Sequence, residues 1–157
     1  MIEIRKAARK DARILSALNF NVQKIHADAY PKLFKQPDNE CFAVRFMEQR
    51  LLDPSNLFYI ANLDGTDIGY IYAKMIERPE NPLMYSWKTI YIEHISINKP
   101  YQRMGYGQKL LEKIYQLAIE NGIETIALDI WTFNKQSQSF FGKQGFDSYN
   151  YQLWKKI

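Results

Sequence analysis

Between Trp87 and Trp131 the chain runs strand, glycine-punctuated loop, helix, strand, and this stretch limits the fold more tightly than any other. Trp87 to Ile97 is rich in β-branched and aromatic residues, the composition of a long strand. Leu110, Leu111, Ile114, Leu117 and Ala118 then recur at helical offsets, and Asn121-Gly122 supplies a left-handed stop. Ile123 to Trp131 alternates, with Ile126, Leu128 and Ile130 on one face. A helix joining two strands in this way is a right-handed crossover, so the two strands run parallel in one sheet.

The flanking segments add the other elements. Ile2 to Arg5 alternates as a short edge strand, and Asp11 opens a helix that Pro31 ends. A second helix is predicted from about Asn39 to Leu52, with Asp38 or Asn39 as N-cap. Leu57 to Ala61 and Ile68 to Ile76 form a hairpin about Asp64-Gly65, and Gly69 marks a bulge or a close approach. Glu77 to Ser86 carries two prolines and reads as a surface loop. A short helix from about Lys135 stops at Gly145, and Phe146 to Trp154 is expected to close the chain as one or two strands. The order β-α-α-β-β-β-α-β-α-β implies an α/β or α+β architecture, one layer of sheet with helices packed on it. With 157 residues and no internal repeat, one domain spanning 1–157 is expected.

Composition excludes several functional classes. At 46% hydrophobic and 24% charged residues the chain can bury a core. No apolar run approaches the ~18 residues a membrane span needs, so a cytoplasmic protein without a membrane partner is expected. Cys41 is the single cysteine and His26 and His94 the two histidines, which argues against a metal site. The net charge of +4 is scattered along the chain and does not indicate nucleic acid.

Gln102-Arg103-Met104-Gly105-Tyr106-Gly107 lies between a strand end and a helix start. Glycines there allow close backbone approach, and the first amides of the helix are unpaired donors at the positive end of its dipole. That is an anion site. The spacing fits neither the phosphate loop GxxxxGK[ST] nor the dinucleotide fingerprint GxGxxG, because Leu110 stands where the third glycine belongs.

Gln102-x-x-Gly105-x-Gly107 resembles the Q/R-x-x-G-x-G/A signature of the GCN5-related N-acetyltransferase (GNAT) superfamily. Ile95 to Tyr101 looks like the lead-in to that signature, and Asn134 to Phe146 looks like the late N-x-x-A-x-x-F-Y-x-K-x-G-F block. The resemblance implies a mixed, mostly antiparallel twisted sheet of about six to seven strands with about four helices. Its two central parallel strands, ending near Ile97 and Trp131, would splay apart around the pantetheine arm of acetyl-CoA. It further implies a cofactor site built from Ile95, Ile97, Gln102, Arg103, Met104, Gly105, Tyr106, Gly107, Asn134 and Phe141, without a metal. The loop would cradle the pyrophosphate and Asn134 would bond the pantetheine or adenosine region. Arg103, Lys109 and Lys135 are basic enough for the ribose phosphate, though each is equally a solvated surface charge.

The implied reaction is direct attack of a primary amine on the thioester, with a small molecule as acceptor. A protein N-terminus or lysine, and a non-catalytic CoA-binding or nucleic-acid-binding domain, are the alternatives; a homodimer is left open. An ammonium must lose a proton before it attacks. Glu93 is the expected base, a carboxylate in an otherwise apolar strand. His94, the second candidate, should face the opposite way by strand alternation. Phenylalanine at 141 departs from the tyrosine that many members use to protonate the leaving thiolate, so either no side chain does so or Tyr149 or Tyr151 takes that role. Cys41 reads as a small buried hydrophobe, and His26 as a helix residue that either lines the acceptor pocket or simply packs.

Overall fold

The computed structural model describes residues 1–157. Five strands form one sheet in the order β1-β2-β3-β4-β5: Ile2–Lys6, Asn56–Leu63, Thr66–Arg78, Trp87–Ile97 and Ile126–Leu128. All neighbours are antiparallel except β4 and β5, which run parallel as the crossover requires. Helices α1 (Ala12–Ala29) and α2 (Val44–Leu51) cover one face, where Leu15, Leu18 and Met47 meet Phe58, Ile60, Tyr70 and Tyr72. Helices α3 (Tyr106–Glu120) and α4 (Lys135–Lys143) cover the other, where Leu110, Leu111, Ile114 and Phe141 meet Tyr59, Ile71, Ala73, Ile90 and Ile92. The alternation of β2 and β3 thus feeds two cores, one on each face. No helix is long and apolar enough to cross a membrane.

Local chemistry explains where the elements begin and end. Helix α2 starts later than Asn39 because side chains hold residues 39–43 in turns. Asn39 Oδ1 accepts from the Cys41 N–H at 2.8 Å, and Ser16 Oγ accepts from the Ala43 N–H at 3.0 Å. Gly69 is a close approach: a Cβ there would collide with Ile97 and with the Ser96 carbonyl on β4.

Two departures from the expected sheet matter for the site. Tyr72 pairs with His94 and Ala73 with Ile92, so Glu93 is an extra residue, a β-bulge in β4. The strand count is five, because Phe146–Trp154 forms no strand. The alternating Tyr149, Tyr151 and Leu153 have no ladder partner and stand in solvent, while Trp154 packs on Tyr30 and Trp131 at centroid separations of 5.5 and 6.1 Å. β5 is also shorter than Ile123–Trp131, being paired on one side only and only to Ile90–Ile92.

Candidate active site

β5 ends at Leu128, whereas β4 continues past the bulge to Ile97. The backbone edge of β4 beyond Ile92 is therefore open where the parallel pair separates. The glycine loop sits at the end of this strand. Gly105 caps α3 with φ +83°, in the left-handed region that glycine enters without cost, and Arg103 holds φ +63° just before it. The N–H groups of Arg103, Met104, Gly105, Tyr106, Gly107 and Gln108 have no acceptor within the chain, and the ladder of α3 resumes only with Lys109 bonding to Gly105 at 3.2 Å. A run of free donors at a helix N-terminus is suited to a pyrophosphate. The side chains support the loop from below: Gln102 donates to the Ile97 carbonyl, and Gly107 lies against the Phe140 ring, 3.3 Å from where a Cβ would be.

The remaining expected cofactor contacts divide. Ile95 and Ile97 pack half-buried on the α3 side, Tyr106 packs beside them, and Met104 and Arg103 are exposed at the loop. Asn134 caps α4: its Oδ1 accepts from the Ser137 N–H at 3.0 Å, which leaves its amide nitrogen free. Lys109 pairs with Glu112 at 2.9 Å. Phe141 is buried among Phe140, Phe146 and the α3 core, with only 3% of its surface exposed, so it is a core residue and its neighbour Phe140 reaches the loop instead.

The catalytic candidates lie at the bulge. Glu93 is exposed, and after burial its negative charge is the main cause that raises the phenol pKa of Tyr72; for Tyr91 burial and then the hydrogen bond and charge of Asp129 raise it, with Glu93 adding less. Tyr91 donates to Asp129 at 2.6 Å on the same face. The expectation that His94 faces away from Glu93 fails, because the extra residue resets the alternation. His94 shares the α1 face with Tyr70 and Tyr72, and its Nδ1 lies 3.1 Å from both Asn19 Nδ2 and Tyr70 Oη. Burial, with a smaller contribution from the charge of His26, lowers this imidazole to about 4. Tyr149 and Tyr151 are exposed in the C-terminal tail, and no contact ties either to Glu93 or His94.

Other residues of this face were not anticipated. Asn19 and Tyr70 hold His94. Tyr30, Phe34, Trp131 and Phe133 form an aromatic cluster with His26, whose ring lies 5.1 Å from Phe34 and 5.4 Å from Phe133. Cys41 is exposed, not buried, and its sulfur accepts from Arg13 at 3.2 Å, with no carboxylate or imidazole hydrogen-bonded to it.

Comparison with known proteins bears on the family and the fold. The Acetyltransferase (GNAT) family model matches residues 20–146. The BH1408 protein from Bacillus halodurans, in its tetramutant form, superposes with a TM-score of 0.90 at 19% identity over 99% of both chains. The aminoglycoside N-acetyltransferase AAC(6')-Iy, solved with CoA, superposes with a TM-score of 0.75 at 17% identity, over 100% of this chain and 95% of that one. A predicted acetyltransferase from Clostridium acetobutylicum, solved with acetyl-CoA, gives 0.71 at 18% identity, over 99% and 96%. Such identities establish the fold, and the family match together with the signature loop establishes that the chain is a member of the GNAT acetyltransferase family.

Proposed function

We propose that the protein transfers the acetyl group of acetyl-CoA directly to a primary amine of a small molecule. The observation that carries this reading is the run of unpartnered N–H groups from Arg103 to Gln108 beside the open edge of β4. Those donors fit a pyrophosphate, and the unpaired strand edge fits the amides of a pantetheine arm. AAC(6')-Iy, which shares this fold, was solved with CoA and with the bisubstrate analogue CoA-S-monomethyl-acetylneamine, which supports a small amine as acceptor.

Bound acetyl-CoA supplies an activated acyl group with a weakly basic thiolate as leaving group. The protein's part is to hold it and to manage the proton of the amine. An alkylammonium with a pKa near ~10 exists as free amine to only about one part in 10³ at neutral pH. Glu93 accepts that proton through water: its carboxylate is exposed on the bulge, at the point where β4 opens. Burial keeps His94 neutral beside it, so it adds no positive charge to repel the ammonium.

The test is a panel of polyamines, aminoglycosides, amino acids and short peptides incubated with acetyl-CoA, with thiol release and product mass both followed. At least one small amine should gain one acetyl group for each CoA released. Acetylation restricted to peptides, or binding of acetyl-CoA without transfer to any amine, would contradict the reading.

A further inference from the structure

Asn19 sits on the face of α1 that packs on the sheet and is only 4% exposed, and Tyr70 on β3 is fully buried. Neither polar group is required for packing, since an apolar residue of similar size would fill the same space without needing a partner. Their hydrogen bonds converge on one atom. The Asn19 amide nitrogen lies 2.5 Å from Tyr70 Oη and 3.1 Å from His94 Nδ1, and Tyr70 Oη lies 3.1 Å from the same Nδ1. An amide nitrogen only donates, so Nδ1 accepts from Asn19 and carries no proton; the Tyr70 hydroxyl, facing an unprotonated nitrogen, can then only direct its own hydrogen at it. In a neutral ring the proton then resides on Nε2. That nitrogen has no partner in the chain, and no buried side-chain nitrogen or oxygen is left unpaired, so Nε2 must reach solvent.

We propose that Asn19 and Tyr70 are positioning residues that fix His94 as the neutral Nε2–H tautomer, making it a hydrogen-bond donor on the bulge face and not a base. The ring is held on its other sides by Tyr72, with His26 and Glu93 as the ionisable neighbours. A ring whose lone pair is engaged by two donors has none left to take a proton from an ammonium. Its free N–H instead bonds an acceptor atom of whatever occupies the cleft, a carbonyl oxygen or a developing anion. This offers the polarising contact that neither the buried Phe141 nor the exposed Tyr149 supplies. The role in transfer rests on the acetyltransferase reading above; the tautomer does not.

Nitrogen-15 spectroscopy of the full chain labelled at histidine tests it, with His26→Gln used to assign the two rings. For His94 we expect Nδ1 as an unprotonated acceptor, Nε2 as an N–H, and no titration between about pH 5 and 8. Asn19→Asp replaces the donor with a group that only accepts. It should move the proton to Nδ1, bring the titration of His94 into the neutral range, and lower kcat roughly tenfold or more at unchanged acetyl-CoA affinity. Tyr70→Phe combined with Asn19→Leu should give a mixture of tautomers. A purely structural role would lower thermal stability in these variants without moving the proton. Should they fail to fold, the wild-type spectrum still decides: protonated Nδ1, or a His94 titrating near its ordinary value, overturns the proposal. An amine panel without turnover would sink the transferase reading and leave the tautomer result standing.

Discussion

The side-chain amide of Gln102 donates to the Ile97 carbonyl at 2.8 Å, fastening the loop of free N–H groups to the last residue of β4. Its oxygen accepts from Gln136 on α4 at 3.2 Å, so one side chain connects strand, loop and helix. Gln102→Ala should leave the chain folded and weaken acetyl-CoA binding roughly three- to tenfold, because the ligand would then bear the cost of ordering the loop. Calorimetry reads this directly. An unchanged Kd would mean that the loop keeps its shape without the tie.

Glu93→Gln preserves size and removes the proton acceptor. Acetyl-CoA affinity should be retained, while the rate at neutral pH falls by roughly 10 to 10⁴-fold. The deficit should shrink as pH rises, since free amine becomes more abundant and the base matters less. Full activity of the variant across the pH range would show that the proton leaves by another route.

Cys41 is exposed beside Arg13, and no carboxylate or imidazole hydrogen-bonds its sulfur. Direct transfer requires that Cys41→Ala stay within a few-fold of the wild-type kcat and that initial-rate lines intersect. Parallel lines, or an acetylated cysteine that passes its acetyl group to the amine, would establish a covalent route instead.

Stability should depend on one carboxylate near the N-terminus. Burial alone would raise the pKa of Asp11, but hydrogen bonds from Arg5 and the Ala8 N–H, together with the Arg5 charge, bring it below the usual carboxylate value. A depressed folded pKa contributes stability above the unfolded value of about 3.9 and loses it as pH falls through the lower folded one. Asp11→Ala should therefore cost about 2 kcal/mol at neutral pH. Melting curves should show the Tm difference from wild type narrowing below about pH 4. A difference independent of pH would assign the loss to packing.

The parts of the site legible in the sequence are those that depend on local backbone chemistry. Gly105 and the start of α3 are set by a φ that glycine alone takes freely and by the unpaired first turn of a helix, and both are written in consecutive residues. The orientation of His94 was not legible. It depends on a bulge that exists only because β3 pairs with β4 one residue out of step, and one strand read alone gives simple alternation. The contact between Asn19 and Tyr70 joins residues 51 positions apart and has no local signature. Phe146 to Trp154 carries a strand's alternation without a strand's partner, because β5 offers only Ile126–Leu128 and the tail departs from it.

Titration of acetyl-CoA into the wild-type protein and into Gly105→Asp, both confirmed as folded, decides whether the glycine loop holds the cofactor. Open space surrounds the Gly105 Cβ position, so the added side chain meets no atom, although φ +83° strains it and its charge enters the row of donors. We expect a saturable one-site heat for the wild type and an affinity at least about tenfold weaker for the variant, a difference of about 1.4 kcal/mol. Equal affinities in two folded proteins, or no binding by the wild type, would contradict it.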